Sequence, residues 1–428
     1  MKKYRILIWF PGKYDYYDKL FKSLNMREDV ECKDKSDFGF EVDYYSQSDY
    51  EKVQAIFHAN IIILYQLSKK ELYIDIPDDI IVWSYLDDIF GKYVMVGKDF
   101  FIDFPVNNYM YLPLLDVEAF DIDGVMKSEE LCRRAIVAPF ISLQDDHDVE
   151  LKDDEKEKFT SDIVLITYKK GIGDRFFKYM PAINEDNAYS KDVMQLLGFL
   201  YPALYKEMME IEHIITDIDW IERILIKYFD ETNIWQYVRN KDVFLERWKR
   251  LVFYVANVHL YGDIIVDWLM EKDYNLKLWG GWDEKKYRKY SMGYLRDGTA
   301  DMYYANNMSK IGINSNPFGT IHRRTFSCIN NGTMCLSAAA DTGENDAKYN
   351  FSHYSHFFEN KKSIVMFHNK KELLNHVDYY LTHEKERKEI VLAGKRVVDQ
   401  QKLDYVNVVN KAFEELINRI GENGERII

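Results

Sequence analysis

Residues 276–337 decide the fold. They begin LKLWGGWDEKKYRKY (Leu276–Tyr290) and, after a short spacer, continue ADMYYANNMSKIGINSNPFGTIHRRTFSCINNGTMCLS (Ala300–Ser337). A strand ends at Trp279 and opens on Gly280-Gly281-Trp282. A helix over Asp301–Met308 leads to a strand at Lys310–Asn314. A polar Gly/Pro loop, Ser315–Ile321, carries the chain to His322-Arg323-Arg324. A second helix starts near Arg324 and runs to Gly332, which caps it before the next strand, Met334–Ser337. Strand, polar loop and helix start together make the geometry of an anion site. The first turn of a helix offers backbone N–H groups and about half a positive charge. His322, Arg323 and Arg324 would add charge there. An ordinary βα loop with a solvated basic cap accounts for the same residues equally well.

Outward from this block the same alternation recurs. Arg5–Phe10 (RILIWF), Asn60–Tyr65 (NIIILY), Ile80–Tyr85 (IIVWSY) and Tyr109–Leu112 (YMYL) read as strands, with Tyr93–Val96 a weaker one. Runs that are apolar at every position fit strands covered on both faces, as in a parallel sheet with helical crossovers. Residues 143–160 (LQDDHDVELKDDEKEKFT) read as a solvated acidic linker. Ser161–Thr167 starts a new series of strands that resumes at Asn275–Trp279 and ends at Ile364–Phe367. Between them, 187–270 keeps apolar residues at helical spacing. Lys370–Leu381, Glu384–Gln400 and Leu403–Ile420 read as helices. The expectation is α/β: two Rossmann-like domains facing a central cleft, over 1–155 and 156–400, with a helical elaboration at 187–270. A final helix in 401–428 would cross back to the first domain.

Composition narrows the function classes. A chain of 428 residues suits two domains, and 33 Tyr, 25 Phe and 8 Trp exclude a disordered chain. With 71 acidic against 57 basic residues, the net charge of −14 argues against a nucleic-acid partner, whose affinity comes from Lys and Arg on phosphates. No run approaches the ~20 apolar residues of a membrane span. The opening MKKYRILIWFPG reads as a strand, not a signal peptide. Cys32, Cys132, Cys328 and Cys335 form no CxxC pair and no zinc spacing, which suits the cytoplasm.

The order G-x-W, then S-K-I-x-I-N, then H-x-R-x-F, then N-G-T before a strand resembles the C-terminal half of CgeB-like proteins, among the group 1 glycosyl transferases of GT-B fold. The matching residues are Gly280-Gly281-Trp282, Ser309-Lys310-Ile311, Asn314, His322, Arg324, Phe326 and Gly332. The resemblance is clear over about residues 270–400. It includes Lys371-Glu372-Leu373, matched to a family strand, and the helical pattern of residues 381–397.

The resemblance implies a glycosyltransferase. A nucleotide sugar would be the donor, a saccharide or protein the acceptor, and no metal or bound cofactor would be required. The donor would lie on the second domain. Lys310, His322 and Arg324 are candidates for its phosphates, with Lys169, Lys170 and Gly171 as further contacts. Gly281, Trp282 and Asn314 would complete the pocket, Trp282 over the base or else in the core. Asp87 and Asp88, following a strand, are candidates for a catalytic base or equally for a helix cap.

One departure matters. Related enzymes carry acidic residues at the positions of Gly319 and Ser327, the second accepting both ribose hydroxyls. One serine hydroxyl cannot make that bidentate contact. The alternative reading is therefore a non-catalytic relative that binds a nucleotide or glycan, or acts as a partner subunit. An epimerase or phosphorylase on the same architecture is a further rival. Asp121/Asp123 and Asp217/Asp219 match a metal-binding Asp-x-Asp, but acidic residues are frequent enough for chance to supply both. His353 and His356 lack a third ligand nearby.

Overall fold

The computed structural model describes residues 3–10, 15–65, 67–69, 72–86, 107–112, 133–138, 151–167, 190–231, 235, 240–295, 299–317, 321–339 and 354–423. The first part holds β1 (Tyr4–Ile8), α1 (Asp15–Lys22), β2 (Val30–Asp34), α2 (Gln47–Phe57), β3 (Ile61–Tyr65), β4 (Ile81–Tyr85), β5 (Asn108–Leu112) and β6 (Ala135–Val137). These strands form one parallel sheet ordered β2-β1-β3-β4-β5-β6. β3, β4 and β5 are apolar at nearly every position because both faces are covered. β2 (VECKD) and β6 (AIV) are strands that the sequence reading lacks. β2 lies at the sheet edge, where alternating polar residues are tolerated.

The second part starts earlier than a linker would allow. Asp153–Phe159 forms α3, which corrects the reading of 143–160 as wholly solvated linker. Its last residue, Phe159, is buried and stacks on Trp279 with ring centroids 5.7 Å apart. β7 (Ser161–Ile166) follows. Then come α4 (Ser190–Ile211), α5 (Ile218–Glu231) and α6 (Lys241–Tyr254), a π-helical turn (Val255–Leu260) and α7 (Tyr261–Leu269). The chain continues through β8 (Leu276–Trp279), α8 (Ala300–Asn307), β9 (Ser309–Asn314), α9 (Arg323–Asn330), β10 (Met334–Ala338), β11 (Val365–Phe367), α10 (Lys370–Thr382), α11 (Glu384–Gln400) and α12 (Tyr405–Glu422). The second sheet is also parallel, ordered β11-β10-β9-β7-β8. Lys371-Glu372-Leu373, expected as a strand, is the first turn of α10, capped by Asn369.

The architecture is thus α/β with two Rossmann-like sheets. Counted from its own first strand, each sheet has the order 2-1-3-4-5, and the first adds a sixth strand. Each therefore has one place where consecutive connections leave in opposite directions, between β1 and β3 and between β7 and β9. In open parallel sheets, ligands bind outside the carboxyl ends of strands at such a point.

α12 returns to the first sheet. Phe413 is fully buried and meets Tyr4 edge-on at 5.3 Å. Arg27 bridges to Glu414 at 3.0 Å, and Asn423 donates to the Tyr109 hydroxyl at 3.0 Å. Asp404 caps the helix by accepting from Asn407 N, a contact worth about 1 kcal/mol. Among the described residues no helix is long and apolar enough to cross a membrane.

Candidate functional site

Four chain segments meet at the carboxyl ends of β7 and β9. Thr167 follows β7, and its N–H donates to the Trp279 carbonyl at 3.0 Å, continuing the ladder one residue past the strand. β9 ends on the buried Asn314. Its Nδ2 donates to Ser337 Oγ of β10 at 3.0 Å and to Thr325 Oγ1 of α9 at 3.3 Å, and its Oδ1 accepts from Asn316 N. One side chain therefore ties the strand end, the next strand and the helix to the turn. The sequence reading placed Asn314 in the donor pocket. In the structure its amide is engaged by Ser337, Thr325 and Asn316.

α9 begins at this spot. His322 is its N-cap, extended at φ −87° and ψ 149°, and its Nδ1 accepts from Arg324 N at 3.2 Å. An accepting Nδ1 requires the neutral ring with its proton on Nε2. Burial, then the charges of Arg324 and Arg323, hold the imidazole well below its ordinary pKa. His322 is thereby a capping residue with a neutral ring, where the sequence pattern reads as added charge. Arg324 reaches across the switch point, where its Nη2 donates to Thr167 Oγ1 at 3.1 Å. The guanidinium is thereby held over the ends of β7 and β9 at the positive end of α9.

Three further candidates have their polar groups or rings engaged by protein partners. Lys310 is the second residue of β9, and strands run parallel, so it sits at the opposite, amino-terminal end of the strands. Its ammonium pairs with Asp162 there at 2.7 Å. Trp282 is wholly buried, edge-on to Tyr287 at 5.0 Å, and donates to the Thr167 carbonyl at 3.2 Å. It is a core residue that also fixes the end of β7 and has no face to offer a base. Ser327 points inward, where its hydroxyl accepts from Asn306 Nδ2 of α8 at 3.1 Å. Beside it lies a hollow of about 10 Å³ lined by Ile166, Asn306, Arg324 and Ser327, room for about one water. Cys328, next along α9, is buried, and its thiol is pushed up by Cys335 and by burial.

Gly280 and Gly281 adopt φ +119° and +83°, which side chains oppose. A β-carbon on Gly281 would run into the ring of Tyr294. Tyr294 is 67% exposed, so the aromatic surface at the end of β8 is Tyr294 and not Trp282. No motif marks it, because the loop from Asp283 folds back along β8, with Gly280 N donating to the Gly293 carbonyl at 2.7 Å. Asp87, Asp88, Lys169, Lys170, Gly171, Gly319, His353, Asp121, Asp123 and the expected strand Tyr93–Val96 lie outside the described residues. Asp217 caps the start of α5, accepting from Trp220 N at 2.9 Å, and pairs with Arg223.

Residues 240–413 match a glycosyl transferase-like family model. No curated protein matches the chain by sequence. Among solved structures, a glycosyltransferase from Rickettsia africae ESF-5 is 11% identical with a TM-score of 0.43, covering 98% of this chain and 99% of that one. The spinosyn forosaminyltransferase SpnP is 7% identical with a TM-score of 0.41, covering 97% and 100%. Anabaena HepE, solved in complex with UDP-glucose, is 10% identical with a TM-score of 0.39, covering 97% and 99%.

Proposed function

We propose that this protein transfers a sugar from a nucleotide-sugar donor to a saccharide or protein acceptor. The observation that carries this reading is Arg324, held over the β7–β9 switch point at the first turn of α9. Departure of a nucleoside diphosphate builds negative charge on its phosphates. A fixed guanidinium and a helix N-terminus stabilise that charge without reorganising. Tyr294 on Gly281 would flank the base. Lys169 and Lys170, which follow Thr167 in sequence, would add phosphate contacts, and Asp87 or Asp88 would serve as base on the acceptor side. No metal is needed for the leaving group in this scheme. The family match over residues 240–413 supports glycosyl transfer as the reaction class.

A second reading rests on Ser327. Its hydroxyl is turned into the core toward Asn306, so this position offers a ribose nothing. A nucleotide-binding relative without transferase activity would show the same feature. The two readings separate in one experiment. Thermal unfolding is followed with UDP, GDP, CMP, ADP and dTDP and their sugars, with and without magnesium, on the native protein and on Arg324→Ala. A ligand at 100 times its Kd stabilises by about 2.7 kcal/mol. One base should raise the Tm without magnesium, and Arg324→Ala should abolish the shift. Release of nucleotide from the matching sugar then establishes transfer or hydrolysis. No shift with any member overturns the donor-site reading, and a shift without turnover leaves the non-catalytic one.

A further inference from the structure

An aromatic ladder stands on the first sheet. Beyond the end of β1, Trp9 is buried and stacks on Tyr44 at 5.4 Å and 26°. The two are locked together, since Trp9 Nε1 donates to the Tyr44 carbonyl and the Tyr44 hydroxyl donates to the Trp9 carbonyl. Tyr44 meets Tyr45 edge-on at 5.4 Å, and Tyr45 meets Tyr73 at 5.8 Å and 73°. The ladder climbs from the core to the surface. Tyr44 is 5% exposed, Tyr45 56% and Tyr73 83%.

Both outer rings are carried on anchored backbone. Tyr45 N donates to Asp43 Oδ1 at 3.0 Å, and Ser46 caps α2 immediately after it. Asp75 N donates to Gln47 Oε1 at 2.7 Å, which pins the Tyr73 loop to the start of α2. Beneath them, Ile74 and Ile76 are buried against the α2 side of the sheet. An aromatic corner held this firmly is pre-organised for a ligand, so little freedom is lost on binding.

The rim says which ligand. Asp43 and Asp75, two residues from each ring, are exposed carboxylates, and Asp79 is exposed nearby. Burial, then the charges of Asp79 and Asp75, push the Tyr50 phenol up, so this side carries a negative field. Among the described residues, Lys52 pairs with Asp49 at 2.9 Å and Lys69 with Asp78. Such a rim repels phosphates, nucleic acid and anionic lipid. It accepts hydrogen bonds from hydroxyl groups, and each carboxylate takes more than one donor. Two tyrosines nearly at right angles offer one ring face to the apolar C–H face of a pyranose and a second ring as a wall.

We propose that Tyr45 and Tyr73 form a binding corner for a neutral saccharide. The surface is built from elements of the first sheet, and the proposal stands whether or not the donor reading does. Titration calorimetry with maltohexaose, cellohexaose, laminarihexaose and chitohexaose tests it, with a heparin-derived hexasaccharide as the anionic comparator. At least one neutral probe should bind and the anionic one should not. The Tyr45→Ala/Tyr73→Ala variant should weaken that binding roughly tenfold or more, while Tyr45→Phe/Tyr73→Phe retains most of it. Both positions are exposed, so the fold is preserved, which circular dichroism checks. The nucleotide-induced Tm shift should be unchanged in the alanine variant, and Arg324→Ala should leave saccharide binding intact, so the two proposals fail separately. Absence of binding by all four neutral probes, or equal binding by the double alanine variant, overturns the assignment. Preferential binding of the heparin hexasaccharide also overturns it.

Discussion

The two sheets share a strand order and differ in what stands at their carboxyl ends. In the first, the chain passes from strand to loop through Trp9, Tyr65, Tyr85 and Tyr111. Tyr65 and Tyr85 stack at 6.3 Å, and Tyr85 meets Tyr111 at 5.0 Å. In the second, the corresponding ends are Thr167, Asn314 and Ser337, bound to one another's elements through Arg324 and Thr325. One topology therefore makes two crevices whose described strand ends differ, aromatic in the first and polar with Arg324 in the second. The proposed anion preference belongs to the second, because no described contact holds a cation over the β1–β3 switch point.

Four substitutions break or sharpen this contrast. The largest effect belongs to the helix that returns to the first sheet. Phe413→Ala empties a fully buried aromatic site between α12 and the first sheet and should cost about 3–5 kcal/mol in urea unfolding. Next comes Arg324→Ala, which should weaken nucleotide binding about 10- to 100-fold in calorimetry. Equal binding by that variant would erase the chemical distinction between the crevices.

Ser327→Ala should cost only about 1 kcal/mol, the hydrogen bond to Asn306, and leave nucleotide affinity unchanged. A large affinity loss there would mean that the hydroxyl turns outward to the ligand. The fourth effect is acid sensitivity. His322 is held neutral in the fold, so below its ordinary value of 6.5 the unfolded chain binds a proton that the folded one refuses. Stability from this residue is intact above pH ~6.5 and falls as pH drops, by at most about 1.4 kcal/mol per pH unit. His322→Asn keeps a capping acceptor without the titration, and its Tm should decline less between pH 7 and 5.5 than that of the native protein.

Much of the fold was legible because parallel strands buried on both faces announce themselves. NIIILY, IIVWSY and SDIVLI need no partner to be recognised. β2 and β6 were not legible: VECKD is polar at alternate positions, and Ala135–Val137 is too short for any period to register. Asp153–Phe159 was hidden by its charge, since only Phe159 of that helix shows an anchor in the core. At the site, residue types were readable and directions were not. Lys310 has a phosphate binder's chemistry, but direction along a strand is invisible until the neighbours are paired, and it faces Asp162 at the amino-terminal end. That Trp282 is the core ring and Tyr294 the exposed one was hidden for a similar reason. Which of two aromatics is buried depends on a loop returning along β8, and only the left-handed Gly280-Gly281 turn hinted at it.

The return of α12 sets an order of events during synthesis. Every described strand of the first sheet has been synthesised once Val137 is made, yet the helix that covers Tyr4 and Trp83 begins only at Tyr405. At about 5–20 residues per second, that wait is roughly 15 seconds to a minute. Throughout it an aromatic face of the nascent chain lacks its lid, so a ribosome stalled or a message cut before Tyr405 would release a product that is sticky, not half-functional.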